Sequence, residues 1–329
     1  MSGIRLSMAI SNYDHVGDLV NGRVRPEGID LTAMELPIEE IFFRMLSFTE
    51  WDVSEFSMAK YVSLVGKGIA PFQAIPVFPS RVFRQSAFYI ATGAGIKCPE
   101  DMAGRRIGVP EWAQTAGIYA RAFLQHQCCV RLADIHWVQA GVNEAGRKEK
   151  VTLDLPDGVK IDQVSDRSLN ELLLAGELDG IISAREPAAF LASDPRIARL
   201  WPDYRSVEET YYRNTGVFPI MHVIVVKNES LSRDPWIAMN LYRAFDEAKN
   251  NSMKRLSSIV NSRIAIPWSH EAYDRARGVL GEDFWPYGIE ANLRTLDAFL
   301  QFCGEQGVTQ RRVQVEELFP REVSKFFKV

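Results

Sequence analysis

Apolar and polar positions along this chain switch repeatedly between a period of two and a period near 3.6, the marks of strands and amphipathic helices. Ile4–Ile10 reads as a strand. It ends in the polar run Ser11-Asn12-Tyr13-Asp14-His15, ahead of a helix-like stretch. Gly28–Glu35 reads as a second strand, with Ile29, Leu31 and Ala33 on one face. Ile38–Phe48 carries Ile41, Phe42, Met45 and Leu46 at helical spacing, Trp51–Phe56 is a short strand running into Ser57, and Met58–Gly66 is again helical. Strand, helix, strand, helix is the order of an α/β layer fold. Phe88–Ala91 is the next strand. Cys98–Val109 then gives a short helix, a glycine-ended turn and the strand Ile107–Val109, stopped by Pro110. Thr115 reads as a helix N-cap, because Ala116, Tyr119, Ala120, Phe123 and Leu124 follow at i, i+3, i+4, i+7 and i+8.

Further on, Ile135–Val138 and Val159–Val164 read as strands on either side of a polar loop, Gly141–Gly158. Leu169–Gly176 is a short helix closed by glycine. Leu178–Ser183 is a buried strand running into Ala184-Arg185-Glu186-Pro187, where a helix starts with proline in its first turn. Val217–Val226 is the most apolar strand of the chain, interrupted by His222. Asp234–Lys254 and Gly288–Gly304 are helical, and no internal repeat is present. The middle of the chain thus has its own strand–helix–strand set, while the last third returns to helices. One layout fits: a discontinuous domain one, residues 1–88 plus 215–329, and an inserted domain two, residues 89–214. Two hinge crossings near Phe83–Ala91 and Thr215–Val223 would then border a cleft between the domains, a favoured place for ligands.

Composition narrows the function. The 329 residues carry a net charge of -4, with no block of like charge, so a nucleic-acid binder is not expected. No apolar run reaches the roughly eighteen residues of a membrane span. Cys98, Cys128, Cys129 and Cys303 lack zinc-knuckle or disulfide-framework spacing and read as free thiols. The opening residues MSGIRLSMAISNYDHVGDL lack the charged and apolar regions of a signal peptide, so a cytoplasmic location is expected.

Several residues stand out for chemistry. The strand–loop–helix stretch Ile107–Phe123 makes an anion site, since the first N–H groups of a helix are unpaired and its dipole is positive there. Glu111 sits at the mouth of that site, and Trp112 lies in the same loop. Arg185 follows the strand LDGIIS, at the strand end where α/β sheets place ligands. His222 breaks an apolar strand at a proposed hinge, where burying an imidazole is costly without a partner.

The segments CPEDMAGRRIGVP and LLAGELDGIISA, in that order, resemble the type 2 periplasmic-binding-protein fold, an α/β fold of two domains with a cleft between them. A closer resemblance covers nearly the whole chain. IPVFPSRVFRQS, GVPEWAQTAG, GRKEK, DGIISAREP, TGVFPIMHVIVV, DPWIA, FWPYG and EELF together resemble the 4,5-dihydroxyphthalate decarboxylase family. The first loop departs from that family's Asp-Tyr-Asp by having Asn12 before Tyr13 and Asp14. The resemblance implies a cytoplasmic enzyme of aromatic catabolism whose partner is a small aromatic dicarboxylate, and a homo-oligomer would suit the family.

The substrate that the resemblance implies sets the demands on the site. Arginine grips carboxylates, which points to Arg81, Arg84 and Arg185. A proton must leave a hydroxyl and another must reach a ring carbon, which points to His222 and Glu111 as acid and base. Tyr13 and Asp14 are placed at the phenol oxygens, and Thr115 and Ser183 as hydrogen-bonding groups at two helix starts. The ring is its own electron sink, so no organic cofactor is expected. A divalent ion on His222, Glu111, Asp14 and His15 is the minority alternative. The competing function is a non-enzymatic solute-binding protein or sensor for an aromatic carboxylate.

Overall fold

The apolar runs become two β-sheets. The computed structural model describes residues 3–260 and 264–324. Its strands are β1 (Ile4–Ile10), β2 (Ile29–Glu35), β3 (Val53–Ser57), β4 (Phe72–Ile75), β5 (Phe88–Ala91), β6 (Arg106–Val109), β7 (His136–Gln139), β8 (Ile161–Gln163), β9 (Gly180–Ile182), β10 (Ile197–Arg199) and β11 (His222–Lys227). One sheet has the order β2-β1-β3-β11-β4 and the other β10-β5-β9-β6-β7-β8. β1, β2 and β3 run parallel, and β11 lies antiparallel between β3 and β4. In the second sheet β9, β6, β7 and β8 are parallel, and β5 runs against β9 and β10.

Burial explains the sequence pattern of each strand. β11 is enclosed on both faces: Val223, Ile224, Val225 and Val226 have no exposed surface, as a continuous apolar run requires. Each such side chain contributes about 1.5–3 kcal/mol of burial. β2 is an edge strand, and its residues alternate in exposure as its sequence does. β3 is wholly buried although it contains Ser54, Glu55 and Ser57, so its polar side chains must find partners inside.

The chain leaves the first sheet after β4 and returns to it at β11, and the two crossings run side by side. Met221 N–H donates to the Ser80 carbonyl (2.8 Å) and Ile224 N–H to that of Val77 (3.1 Å), while Arg81 and Ile220 form an isolated antiparallel bridge. The predicted strand Val217–Val226 is therefore shorter than its apolar run. Pro219 has no N–H for a ladder, residues 217–221 belong to the crossing, and His222 heads β11 rather than interrupting it. The helices Tyr204–Thr215 and Ser269–Leu280 and the strands β4 and β10 are elements that the pattern reading did not assign. Among the described residues, no helix is long and apolar enough to cross a membrane.

Candidate active site

The site forms where strands end. β3, β6, β7 and β9 all present their carboxyl ends to one cleft of about 730 Å³, the edge at which α/β sheets bind ligands. Ser57 ends β3 and passes directly into the helix Met58–Gly66, and the loop after β6 leads into the helix Thr115–Gln127. Both helix starts border the cleft, with Ser57, Thr115 and Ala116 on its wall. After β7 the loop beginning at Gly141 folds over the cleft. A Cβ at Gly141 would lie 1.9 Å from the Glu144 carbonyl oxygen, so only glycine permits that turn.

Thr115 does a different job from the one its sequence suggests. Gln114 is the N-cap of its helix and Thr115 the first helical residue. The Thr115 hydroxyl oxygen instead accepts from Ala59 N–H (3.1 Å) and lies 3.2 Å from Ser57 Oγ, capping the neighbouring helix Met58–Gly66. The two helix starts are thereby fastened together at the cleft floor. Ser183 lies on the same wall, and its hydroxyl accepts from Arg185 N–H at 3.1 Å.

His222 opens onto the cleft from the head of β11, and directly across the sheet register stands Ser57. Its Nδ1 lies 2.6 Å from Glu55 Oε1. Glu55 has no exposed side-chain surface; it also accepts from the Tyr13 hydroxyl (2.5 Å) and from Ser11 N–H (2.9 Å). Burial alone would raise the Glu55 carboxyl, but the hydrogen bond and charge of His222, the Tyr13 hydroxyl and Ser11 outweigh it and hold it below the ordinary glutamate value. Burial and the Glu55 charge push the Tyr13 phenol far up, so it stays a donor. With Nδ1 facing a carboxylate, the ring's Nε2 has no protein partner among the described residues. The Phe42 ring packs edge-on against the imidazole, with centroids 5.0 Å apart. This is a carboxylate-oriented histidine aimed at a cavity, the arrangement that fixes a tautomer for proton transfer.

Basic groups cover the rest of the wall. Glu111, only 1% exposed, has three of them around it: Arg147 Nη2 at 2.7 Å, Lys60 Nζ at 3.6 Å and Lys150 Nζ at 3.8 Å. Arg84 is different. Its Nε contacts Met221 Sδ (3.2 Å), and no carboxylate lies within ion-pair distance of it among the described residues. Burial lowers its guanidinium to about 10, still charged at neutral pH. At the cleft mouth Arg185 pairs with Glu39, joining the loop after β9 to the helix Ile38–Phe48.

The residues singled out from sequence therefore divide. His222, Glu111, Arg84, Arg185, Thr115 and Ser183 line the cleft. Arg81 does not. Its guanidinium is buried among the carbonyls of Phe218 and Pro286 and the side chain of Asn292, and it stacks on the Phe218 ring at 4.5 Å, where it fixes the crossing. Asp14 accepts from Ser252 on the helix Ile237–Leu256, outside the cleft, and Tyr13 touches Glu55 without reaching the cleft wall. Glu111, expected as an acid or base, has its carboxylate committed to Arg147 and two lysines. Trp112 is fully buried, packed under Arg121 at 3.8 Å and bonded to the Gln306 carbonyl. His222, Glu111, Asp14 and His15 do not converge, and no group of three or more His, Cys, Asp or Glu suited to a metal ion occurs among the described residues.

Three further site residues escape the sequence reading: Glu55, Lys60 and Arg147. The signal for the first two is present, since an acid inside the strand VSEFS and a lysine in the first apolar turn of MAKYVSLVG both sit where a solvated charge does not belong. Arg147 lies in the segment GRKEK.

Fold and site together define a two-sheet α/β protein with the periplasmic-binding-protein fold, whose cleft presents a histidine backed by a buried carboxylate. Solved structures agree on the fold. The periplasmic aliphatic sulphonate binding protein SsuA from Escherichia coli superposes with a TM-score of 0.56 over 97% of this chain and 93% of its own, at 11% identity. A mutant of the desulfurization enzyme DSZB in complex with biphenyl-2-sulfinic acid superposes with a TM-score of 0.55 over 97% of both chains, at 15% identity. No family profile matches the chain. Among curated proteins, 4,5-dihydroxyphthalate decarboxylase of Comamonas testosteroni is 36% identical over 100% of both chains. The enzyme of the same name from Pseudomonas putida is 37% identical over 65% of this chain and 83% of its own. The chain belongs to the 4,5-dihydroxyphthalate decarboxylase family.

Proposed function

We infer that the protein decarboxylates 4,5-dihydroxyphthalate to 3,4-dihydroxybenzoate, with His222 as the proton donor to the ring. Family membership supports the reaction, and one observation carries the role of His222: an imidazole backed by a buried carboxylate and open to the cleft. A protein that only binds an aromatic carboxylate needs the cations but has no use for that pair, so the solute-binding reading is not favoured.

The substrate is a benzene ring with two adjacent carboxylates and two adjacent hydroxyls, each carboxylate para to one hydroxyl. As the hydroxyl para to the departing group gives up its proton, electron density moves to the carbon bearing that carboxylate. The imidazolium of His222 protonates that carbon, which costs the ring its aromaticity. The bond to the carboxylate then breaks, its electron pair returns to the ring, and carbon dioxide leaves. Glu55 steadies the imidazolium and holds its orientation. Arg84, the cleft arginine without a carboxylate partner, grips the carboxylate that is retained. The two helix starts at Met58 and Thr115 add positive potential for the dianion. The ring stores the electrons, so no organic cofactor takes part in this scheme.

The test is a product assay. Purified protein stripped with a chelator is mixed with 4,5-dihydroxyphthalate, and 3,4-dihydroxybenzoate is followed by chromatography. Turnover that survives chelation is expected. Turnover lost to the chelator and restored by a divalent ion would bring a metal into the mechanism, and no turnover in either state would overturn the reaction.

A further inference from the structure

Decarboxylation by this route leaves one role unfilled, that of the group accepting the hydroxyl proton. The arginines of the cleft keep their protons. Of its carboxylates, Glu39 is tied to Arg185, Glu111 to Arg147 and Glu186 to Arg199, while Glu144 is exposed on the loop over the cleft. Lys60 remains. It sits in the first turn of the helix Met58–Gly66, is 6% exposed, and lines the cleft. Its amine makes no hydrogen bond among the described residues, and the one carboxylate within ion-pair distance there, Glu111, stands off at 3.6 Å. Its Nζ is 6.0 Å from the centroid of the Phe42 ring, the same ring that packs against His222. Lysine and histidine thus both border the Phe42 ring.

We propose that Lys60 is the base that takes the proton of the hydroxyl para to the departing carboxylate, in concert with His222; this rests on the decarboxylase reading. The neutral amine accepts the hydroxyl proton and becomes an ammonium beside the new ring oxyanion. The His222 proton forms the carbon–hydrogen bond, the carbon–carbon bond breaks with its pair returning to the ring, and Lys60 returns its proton to the oxygen. His222 recovers a proton from solvent. The net change is one carboxylate and one proton consumed, one ring hydrogen and one carbon dioxide formed. The groups facing the amine agree in sense. Burial lowers the Lys60 ammonium below the ordinary lysine value, with Arg147 and Lys150 pushing the same way against Glu111 and Glu149.

The experiment compares wild type, Lys60→Met and Lys60→Arg by kcat/KM for 4,5-dihydroxyphthalate from pH 6 to 10, with thermal melts confirming folding. At neutral pH both variants are expected to lose about 10²- to 10⁴-fold, the usual worth of general acid–base catalysis. The Lys60→Met loss should shrink as pH rises and the phenol ionises unaided. Arginine should not rescue, because guanidinium does not release its proton. Recovery of Lys60→Arg to within about threefold of wild type would overturn the proposal in favour of a charge role. A Lys60→Met loss constant across pH, or no loss, would overturn it as well. In each of these cases wild-type turnover leaves the decarboxylase reading standing, whereas a wild type without product overturns both.

Discussion

Replacing Glu55 by glutamine exchanges a carboxylate oxygen for an NH2 group at a position where both oxygens accept hydrogen bonds. Glu55 Oε2 accepts from Ser11 N–H at 2.9 Å, while Oε1 takes the Tyr13 hydroxyl and faces His222 Nδ1 at 2.6 Å. An amide cannot accept on both sides. Its oxygen will turn to the fixed backbone N–H of Ser11, which leaves its NH2 pointing at His222. Nδ1 must then accept, and the ring is held as the neutral tautomer with its proton on Nε2, unable to become the imidazolium that protonates carbon. Three charge-assisted hydrogen bonds, to Ser11, Tyr13 and His222, become neutral or are lost. At about 1.5–3 kcal/mol for a hydrogen bond to a charged group against about 1 for a neutral one, the fold should lose roughly 1.5–6 kcal/mol. The rate should fall by about 10²- to 10⁴-fold in kcat with little change in KM. Steady-state kinetics and urea denaturation at pH 7 measure both. The stability effect also has a sign in pH. Because the fold lowers the Glu55 carboxyl, its contribution is fully present above the unfolded value of 4.5 and is lost as pH falls through the lower folded value. The glutamine variant should lack that acid-limb loss. A kcat within about threefold of wild type would refute the assignment of Glu55 as the group that orients His222.

Two neighbouring arginines should separate cleanly. Arg84→Met removes the proposed carboxylate anchor and should raise KM about 10- to 100-fold, with stability nearly unchanged because the guanidinium has no protein carboxylate to lose. Arg81→Met should do the reverse, destabilising the fold by about 2–4 kcal/mol through the orphaned oxygens of Phe218 and Asn292, as read by thermal melts; the Pro286 carbonyl keeps the Asn292 amide. His15 predicts a second pH effect. Burial lowers its imidazole from 6.5 to about 4, so on acidification the unfolded chain takes up a proton that the fold refuses. Stability is full above pH 6.5 and falls by about 3 kcal/mol by pH 4. Denaturation of His15→Phe over that range should show the slope removed.

The sequence pattern carries the strands and helices that are long or strongly periodic, and the local signals at strand ends lead to the cleft. Thr115, Ser183, Arg185 and His222 each follow or head a strand, and all four line it. What the pattern does not carry is pairing across long separations. Glu55 and His222 are 167 positions apart, and only the antiparallel register of β3 and β11 brings them together. Arg81 and Arg84 look equivalent three residues apart. The bridge of Arg81 to Ile220 turns one guanidinium into the crossing and leaves the other at the cleft. Tyr13 and Asp14 adjoin one another, but one reaches Glu55 and the other Ser252, as the short helix that starts at Asp14 redirects the chain. Glu111 sits at the mouth of an anion site by sequence. The basic groups around it are Lys60 and, from one loop, Arg147 and Lys150, which local reading cannot bring to it.

The central claim is that this cleft breaks a carbon–carbon bond through a proton from His222. The most direct measurement follows 4,5-dihydroxyphthalate with wild type and His222→Gln, using calorimetry for binding and chromatography with carbon dioxide release for chemistry. The account predicts equal amounts of 3,4-dihydroxybenzoate and carbon dioxide from wild type, and a His222→Gln variant that binds the diacid but forms product at least about 10²-fold more slowly. A wild type that binds without product, or a His222→Gln variant that turns over at the wild-type rate, would contradict it.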